Sequence, residues 1–112
     1  MKHEEVIKLQ PGKDIDTLVN EIYEKENGPS HYVPPYSREM QAAWKLAESI
    51  SKKWPDFNVC SRWNESDAEF DGWYVVWGMD GYGTREVRAD SASLAICYAF
   101  ILAAQEEEEW EK

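Results

Sequence analysis

Residues 94–104 read LAICYAFILAA, and this apolar segment decides how the chain can fold. It is shorter than the roughly 20 apolar residues that a membrane-spanning helix needs, yet it is apolar on every side of a helix. Such a helix cannot lie on one sheet with its back to water. We therefore predict a helix from about Ser91 to beyond Glu106, with Asp90 as its N-cap, that is covered on two sides. One cover is a sheet, and the other is either the earlier helices or another copy of the chain.

Two amphipathic helices are predicted upstream of this segment. The first follows residues 10–14 (QPGKD) and ends near residues 27–29 (NGP), where glycine and proline stop a helix. The second runs from about Arg38 to Lys53, with the Ser37 hydroxyl as its N-cap. In each helix apolar residues recur at steps of three and four, which places one stripe inward: Ile15, Leu18, Val19, Ile22 and Tyr23 in the first, and Met40, Ala43, Trp44, Ala47, Ile50 and Trp54 in the second.

After Pro55 the apolar period changes from that of a helix to that of a strand. Residues 57–63 (FNVCSRW) alternate as a partly exposed strand does, and residues 70–79 (FDGWYVVWGM) are apolar on both faces, which is typical of a central strand. A turn at residues 80–83 (DGYG) leads to a shorter, more polar strand at residues 84–89 (TREVRA). The predicted fold class is therefore α+β: a three-layer helix/sheet/helix sandwich with a small antiparallel sheet, in the order α-α-β-β-β-α.

Length and charge limit the organisation and the partners of the chain. The 112 residues allow one domain, residues 1–112, with a core at about 9–104 and an acidic tail at 105–112 that we expect to be frayed or solvated. A net charge of −10 disfavours direct binding to nucleic acid, where lysine and arginine must replace counterions. The charge is compatible with a basic protein partner, although solubility alone also accounts for it.

The acidic stretch at residues 67–72 (DAEFDG) has the spacing of the first half of a calcium-binding loop. Its twelfth position would be Gly78 instead of a bidentate glutamate, so we read residues 64–72 as a solvated hairpin loop. No metal site, cofactor or catalytic residue is predicted, because no pair among the following residues has the spacing of a transition-metal site and no base is identified for a nucleophile: His3, His31, Cys60 and Cys97.

Aromatic and arginine side chains near predicted loops and strand faces remain as candidates for ligand binding. Aromatic rings and guanidinium groups commonly hold flat, anionic small molecules such as nucleotides. Core packing is the competing explanation for the aromatic residues, most of all for Trp73 and Trp77. The predicted ligand-binding residues are Tyr36, Arg38, Arg62, Tyr82, Arg85 and Arg88.

Three segments resemble the phage ABA-sandwich domain family. Residues 34–50 (PPYSREMQAAWKLAESI) are similar to its Pro-Tyr-Ser…Ala-Ala-Trp segment, and residues 89–104 (ADSASLAICYAFILAA) to its closing helix. Residues 9–23 (LQPGKDIDTLVNEIY) resemble its opening, with Lys13 and Ile15 in place of two members of the pattern. The resemblance implies a sheet between helical layers and a phage or prophage origin. It transfers no catalytic residue.

The leading functional hypothesis is a non-enzymatic phage accessory protein in the cytoplasm of the host cell, which counters a bacterial defence by sequestering a nucleotide-derived immune signal. The ligand is expected to be a small, anionic, nucleotide-like molecule held at the interface of a homo-oligomer. The alternative is an acidic protein–protein inhibitor that occupies a basic nucleic-acid-binding site on a host protein. A hydrolase that cleaves the signal is the third hypothesis. Direct contact with nucleic acid or with a membrane is not expected.

Overall fold

The computed structural model describes residues 2–30, 32–54, 56–64, 69–78 and 84–111. The helices in these ranges are α1 (His3–Val6), α2 (Lys13–Asn27), α3 (Met40–Lys53) and α4 (Ala92–Glu111), and the strands are β1 (Asn58–Asn64), β2 (Glu69–Gly78) and β3 (Thr84–Ala89).

The α+β class, the antiparallel three-stranded sheet and the predicted order of the elements are confirmed, with the short helix α1 added before them. The strands lie in the order β1-β2-β3, each antiparallel to the next, so β2 is central as predicted. A helix/sheet/helix arrangement is compatible with the contacts between the elements. At four residues, α1 is too short to show helical periodicity in the sequence.

Helix α4 is covered within the chain itself. It contacts strands β2 and β3 as well as helices α1, α2 and α3. Every residue from Ser93 to Ala103 is less than a tenth exposed. Of the two covers that the sequence left open, the structure therefore shows the earlier helices.

Both ends of α4 differ from expectation. Ser91 caps it instead of Asp90, since the Leu94 N–H donates to Ser91 Oγ at 3.2 Å and the Ala95 N–H donates to Ser91 O at 3.0 Å. At the other end the backbone stays helical to Glu111, so residues 105–111 extend α4 instead of fraying. None of the helices in the described ranges combines the length and the apolarity that crossing a membrane requires.

Helix α3 buries most of the stripe predicted for it. Four of the six predicted residues are buried: Ala43, Ala47, Ile50 and Trp54. Met40 and Trp44 are instead 39% and 53% exposed, and Ala42 and Leu46 are buried in addition. The predicted stripe was therefore right in period and wrong at two of its six positions.

The two faces of the sheet differ in polarity. On the inner face Val75 lies between Val59 and Val87, and Val75 and Val87 are buried. The opposite face, called the outer face below, is exposed or half-buried and carries Cys60, Arg62, Tyr74, Val76, Glu86 and Arg88. A Cβ at Gly72, whose φ is +122°, would lie 2.8 Å from Arg88 Nε, so glycine lets the Arg88 side chain pass close to β2.

Candidate functional site

The connector before α3 is fixed to α2 by hydrogen bonds of Ser37 and Arg38. The Ser37 N–H donates to Asp16 Oδ1 at 2.8 Å, and Arg38 Nη2 donates to Asp16 Oδ2 at 3.1 Å. In the reverse direction, the Gly12 N–H donates to Ser37 Oγ at 3.0 Å. Ser37 is therefore not the N-cap of α3; that position is Glu39, which makes no side-chain capping bond.

Tyr36 completes this attachment from inside the core. Its side chain is 1% exposed, and its hydroxyl donates to Asn20 Oδ1 at 2.9 Å. Burial raises the pKa of Tyr36 to about 12. Asn20 donates in turn to Glu24 Oε1 at 2.9 Å, and the Ser30 hydroxyl bond to the same carboxylate lowers the pKa of Glu24. A ligand could reach Tyr36 only if the core opened.

Two of the predicted arginines meet on the outer face around Tyr74. The Arg62 guanidinium carbon lies 4.0 Å from the centre of the Tyr74 ring, and Arg62 forms an ion pair with Glu86. Arg88, the cross-strand partner of Tyr74, donates from Nε to Asp71 O at 2.6 Å.

Both arginines on this face also have acidic neighbours within the chain. Arg88 Nη2 lies 3.6 Å from Asp90 Oδ1. The Tyr74 hydroxyl donates to Asp71 Oδ2 at 2.7 Å, which raises the pKa of Tyr74. The charges of this outer-face network largely neutralise one another, and they are exposed to water. An anion from solution would therefore gain little binding free energy from them.

Arg85 points to the opposite side of β3 from Arg88 and lines a cleft. The cleft, about 550 Å³ in volume, is bounded by α1, by the adjoining ends of β2 and β3 and by the C-terminal half of α4. Its lining residues are Lys2, His3, Glu4, Trp77, Arg85, Glu86, Leu102, Gln105 and Glu106. Five of the six residues predicted to bind a ligand belong to the described ranges, and of these five Arg85 alone lines this cleft.

The floor and the rim of the cleft have different chemistry. Trp77 and Leu102 form the floor, because they are only 1% and 8% exposed. The rim carries three groups that can be cationic, Lys2, His3 and Arg85, beside Glu4 and Glu106. Glu86 also lines the cleft, but its carboxylate pairs with Arg62 on the outer face. Arg85 Nε donates to Glu106 Oε1 at 2.6 Å across the rim. Trp77 and Leu102 are thus the apolar part of a cleft whose other lining residues are polar or charged.

One polar atom of the floor has no partner. The indole Nε1 of Trp77 is buried, and no described residue accepts its hydrogen. Trp77 is also the residue of β2 opposite Arg85 in β3. The donor and the guanidinium group therefore belong to adjacent residues on one face of the sheet.

Sequence reasoning missed most of this cleft. Lys2, His3 and Glu4 belong to or adjoin α1, which the sequence pattern did not reveal. The prediction that Trp77 packs in the core is confirmed, and one edge of this buried residue borders the cleft. An unbroken apolar run that ends at Gly78 beside a charged strand was the available signal, but it does not distinguish a buried tryptophan from a cleft floor. Tyr82, the turn at 80–83 and residues 65–68 of the predicted acidic loop lie outside the described residues.

Metal-binding and thiol chemistry have little support in the described ranges. Those ranges contain no group of three or more histidine, cysteine, aspartate and glutamate residues that could hold a metal ion. Cys97 is fully buried, and burial raises the pKa of its thiol, which makes it a poor nucleophile. Cys60 is half-buried on the outer face.

Comparison of the chain with protein-family models, with curated proteins and with solved structures gave no match. The resemblance to the phage ABA-sandwich family therefore stays a prediction from the three sequence segments.

Proposed function

We propose that this protein is a non-enzymatic binding protein that holds a small, anionic, nucleotide-like ligand in the cleft between α1, β2, β3 and α4. As a phage accessory protein in the cytoplasm of a host cell, it would sequester a nucleotide-derived immune signal. The observation that carries the proposal is the cleft itself: about 550 Å³, with an aromatic floor and with Lys2, His3 and Arg85 at its mouth. That volume is within the range of sites for small molecules, roughly 300–1,000 Å³.

From the sequence the ligand was expected at a subunit interface, whereas the site proposed here lies within a single chain. The sequence argument for an interface was that α4 needs a second cover, and α1, α2 and α3 provide one. A homo-oligomer remains a prediction, but ligand binding in this cleft does not depend on it. The monomer should bind one ligand per chain.

Isothermal titration calorimetry with AMP, ADP-ribose and cyclic dinucleotides tests the proposal. Arg85→Ala removes the rim guanidinium, and Arg62→Ala is the matched control, because both arginines are close to half exposed and both are paired with a glutamate. We expect Arg85→Ala to weaken binding about tenfold, as loss of a charge-assisted hydrogen bond does, and Arg62→Ala to leave affinity unchanged. Absence of heat with every ligand, or equal losses in the two variants, would contradict the proposal.

The same ligands separate binding from hydrolysis. After long incubation with the protein, a sequestering protein returns its ligand intact when it is denatured. Recovery of a cleaved product would instead support the hydrolase hypothesis.

A second candidate function, an acidic inhibitor of a basic host protein, is favoured by the end of α4. Residues 106–109 are four consecutive glutamates, and the last turn of this helix carries no basic residue. Negative side chains at the C-terminal end of a helix reinforce the negative end of its dipole, which attracts a cationic surface. Such a complex should weaken steeply as ionic strength rises.

Replacing Glu107, Glu108 and Glu109 with glutamine distinguishes the two candidates. The inhibitor hypothesis predicts that this variant loses a basic host partner that the wild-type chain binds in low salt. The sequestration proposal predicts that nucleotide affinity is unchanged, since the variant keeps Lys2, His3 and Arg85 at the mouth of the cleft.

A further inference from the structure

We infer that two copies of this chain form a twofold dimer through an exposed apolar patch at the start of α3, with Met40 of each copy packed against Trp44 of the other. The patch, called the α3 patch below, consists of Tyr32, Val33, Met40 and Trp44. The cleft is lined instead by residues of α1, β2, β3, α4 and the segment before α1. The dimer is therefore an interaction beyond the proposed function and does not depend on it.

Exposed apolar side chains are concentrated in this part of the molecule. Among the residues that the structure describes, six large apolar side chains are more than a third exposed, and four of them form the α3 patch. Tyr32 and Trp44 are the most exposed, at 68% and 53%. A cluster of this kind commonly marks an interaction surface, and tyrosine, tryptophan and methionine are enriched in such surfaces.

The α3 patch continues from the connector onto the helix. Met40 and Trp44 are four positions apart in α3 and therefore lie on the same side of it. Tyr32 belongs to the connector before the helix. It lines a shallow groove of about 240 Å³ together with Gln41 and Lys45, the helix positions next to Met40 and Trp44. The apolar side chains of the two segments are thus neighbours.

The charge of this segment favours another copy of the chain as the partner. A net charge of −10 makes two copies repel one another, so they associate most readily where their surfaces are not acidic. Residues 32–45 contain two bases, Arg38 and Lys45, and one acid, Glu39. Arg38 is paired with Asp16, which leaves the segment close to neutral. Two copies can therefore meet at the α3 patch without a surplus of carboxylates between them.

The order of the residues along α3 is complementary to itself. When two identical helices meet antiparallel about a twofold axis, each residue lies opposite one that is equally far from the axis. An axis midway between Met40 and Trp44 places each methionine against the tryptophan of the other copy, and a thioether contacts an aromatic ring favourably. Beside this stripe, Gln41 of one copy lies near Lys45 of the other, so a neutral amide faces each ammonium group.

The exposed area of the patch is close to what the apolar part of a dimer interface requires. The four side chains expose on the order of 400 Å² in total, given that a large aromatic residue buries about 150–250 Å². A standard interface buries about 800 Å² per partner, of which roughly 60% is apolar. Gln41, Lys45 and the groove beside Tyr32 add polar area around the patch. We therefore expect a dimer that dissociates on dilution.

Sedimentation velocity of the full chain over a range of concentrations tests the inference. The mass should rise from 13.0 kDa towards twice that value as the concentration increases to about 200 µM. Trp44→Glu places a carboxylate in the centre of the contact and should raise the dissociation constant at least about 30-fold, the size of a hot-spot loss. Phe70→Glu is the matched control, because it makes the same kind of change at an exposed aromatic residue of β2, and it should leave the constant unchanged. If Trp44→Glu does not fold, Trp44→Ala takes its place.

A mixed NMR sample tests the register of the contact. One copy is deuterated except for ¹³C-labelled methionine methyl groups, and the other copy is protonated and unlabelled. A nuclear Overhauser effect between the Met40 methyl group and the Trp44 ring can then arise only between two copies. We expect this signal in the wild type and its loss when the protonated copy carries Trp44→Glu.

Three results would overturn the inference. The first is a chain that stays monomeric at the highest concentration, and the second is equal weakening by Trp44→Glu and Phe70→Glu. The third is a dimer without the signal between Met40 and Trp44, since its interface lies elsewhere. Added salt should strengthen the proposed dimer, because it screens the repulsion between two acidic chains. A dimer that dissociates in high salt is held by ion pairs and also contradicts the inference.

Discussion

Two regions of this protein contain buried polar groups, and the regions differ in whether these groups are hydrogen-bonded. In the connector on α2, the buried groups of Asp16, Asn20 and Tyr36 bond to one another or to neighbouring groups of the chain. In the cleft, the buried Trp77 N–H has no partner among the described residues. Hydrogen bonds satisfied inside the chain stabilise the fold and leave nothing for a ligand. A buried donor without an acceptor instead lowers the free energy of unfolding.

This difference distinguishes residues that stabilise the fold from residues that could bind a ligand. Tyr36 and Arg38 have the chemistry of a nucleotide-binding pair, yet their partners are Asn20 and Asp16. Arg85 is also paired within the chain, with Glu106, but this pair lies at the mouth of a cleft. Variants of the connector should therefore change the free energy of unfolding, and variants of the cleft should change affinity.

The largest effect is expected for Asp16→Ala. The change removes the acceptor of the Ser37 N–H and the ionic partner of Arg38, so we expect a loss of about 2–4 kcal/mol in the free energy of unfolding, measured by urea denaturation. Asp14→Ala is the matched control, because Asp14 is an exposed aspartate of the same first turn. Its loss should be about 0.5 kcal/mol, which is the size of a helix-dipole contribution. Equal losses in the two variants would remove the structural role assigned to Asp16.

A smaller effect is expected for Tyr36→Phe, which leaves Asn20 Oδ1 without its donor. The loss should be about 1 kcal/mol at neutral pH, with nucleotide affinity unchanged.

The burial of the Tyr36 hydroxyl can also be tested through the pH dependence of the free energy of unfolding. Burial raises the pKa of Tyr36 to about 12 from 10.0, so between these values the native state holds a proton that the unfolded state has released. Tyr36 therefore contributes fully to the free energy of unfolding below its pKa in the unfolded state. This contribution is lost as the pH rises through the pKa of Tyr36 in the folded state. Urea midpoints measured from pH 9 to about pH 12 should therefore fall more steeply for the wild type than for Tyr36→Phe. Parallel curves would show that the Tyr36 hydroxyl is not buried in solution.

The smallest effect is expected for Arg62→Ala on the outer face. Arg62 and Glu86 are both close to half exposed, and ion pairs of this kind are screened by water and salt. The urea midpoint should change by little more than the error of the measurement, and added salt should reduce even that change. Arg62→Lys is the control that keeps the charge while it replaces the group stacked on Tyr74. A loss as large as that of Asp16→Ala would mean that the outer face, like the connector, holds the fold together.

Sequence patterns predicted elements well and contacts poorly. The periodicity of residues 13–27 and the alternation of residues 58–64 depend on neighbours a few positions away, and both elements are present near the expected bounds. Tyr36 bonds to a residue 16 positions away, and the Ser37 hydroxyl to one 25 positions away. No local pattern shows such partners. For this reason the roles given to Ser37 and Asp90 as caps were wrong, although the helices that they were meant to begin exist.

The candidate site shows the same limit more strongly. The cleft joins segments that are far apart in the sequence: residues 2–4 before and in α1, Trp77 of β2, Arg85 and Glu86 of β3, and Leu102, Gln105 and Glu106 of α4. Arg85 could be named as a candidate from residue type alone. That its neighbours are Trp77 and Glu106 follows only from the pairing of β2 with β3 and from the packing of α4 on them.

The sequence by itself determined that residues 94–104 form a helix that is apolar on every face and must be buried. Hydrophobic burial depends on the residue types of a segment, which the sequence gives directly. It also determined an antiparallel sheet of three strands, since alternation and turns are local. Only the tertiary structure decided that α1, α2 and α3 complete the cover of α4. It likewise decided which buried polar groups of the described residues have partners and that the Trp77 N–H has none among them, because hydrogen bonds require atoms from distant segments to meet within about 3 Å.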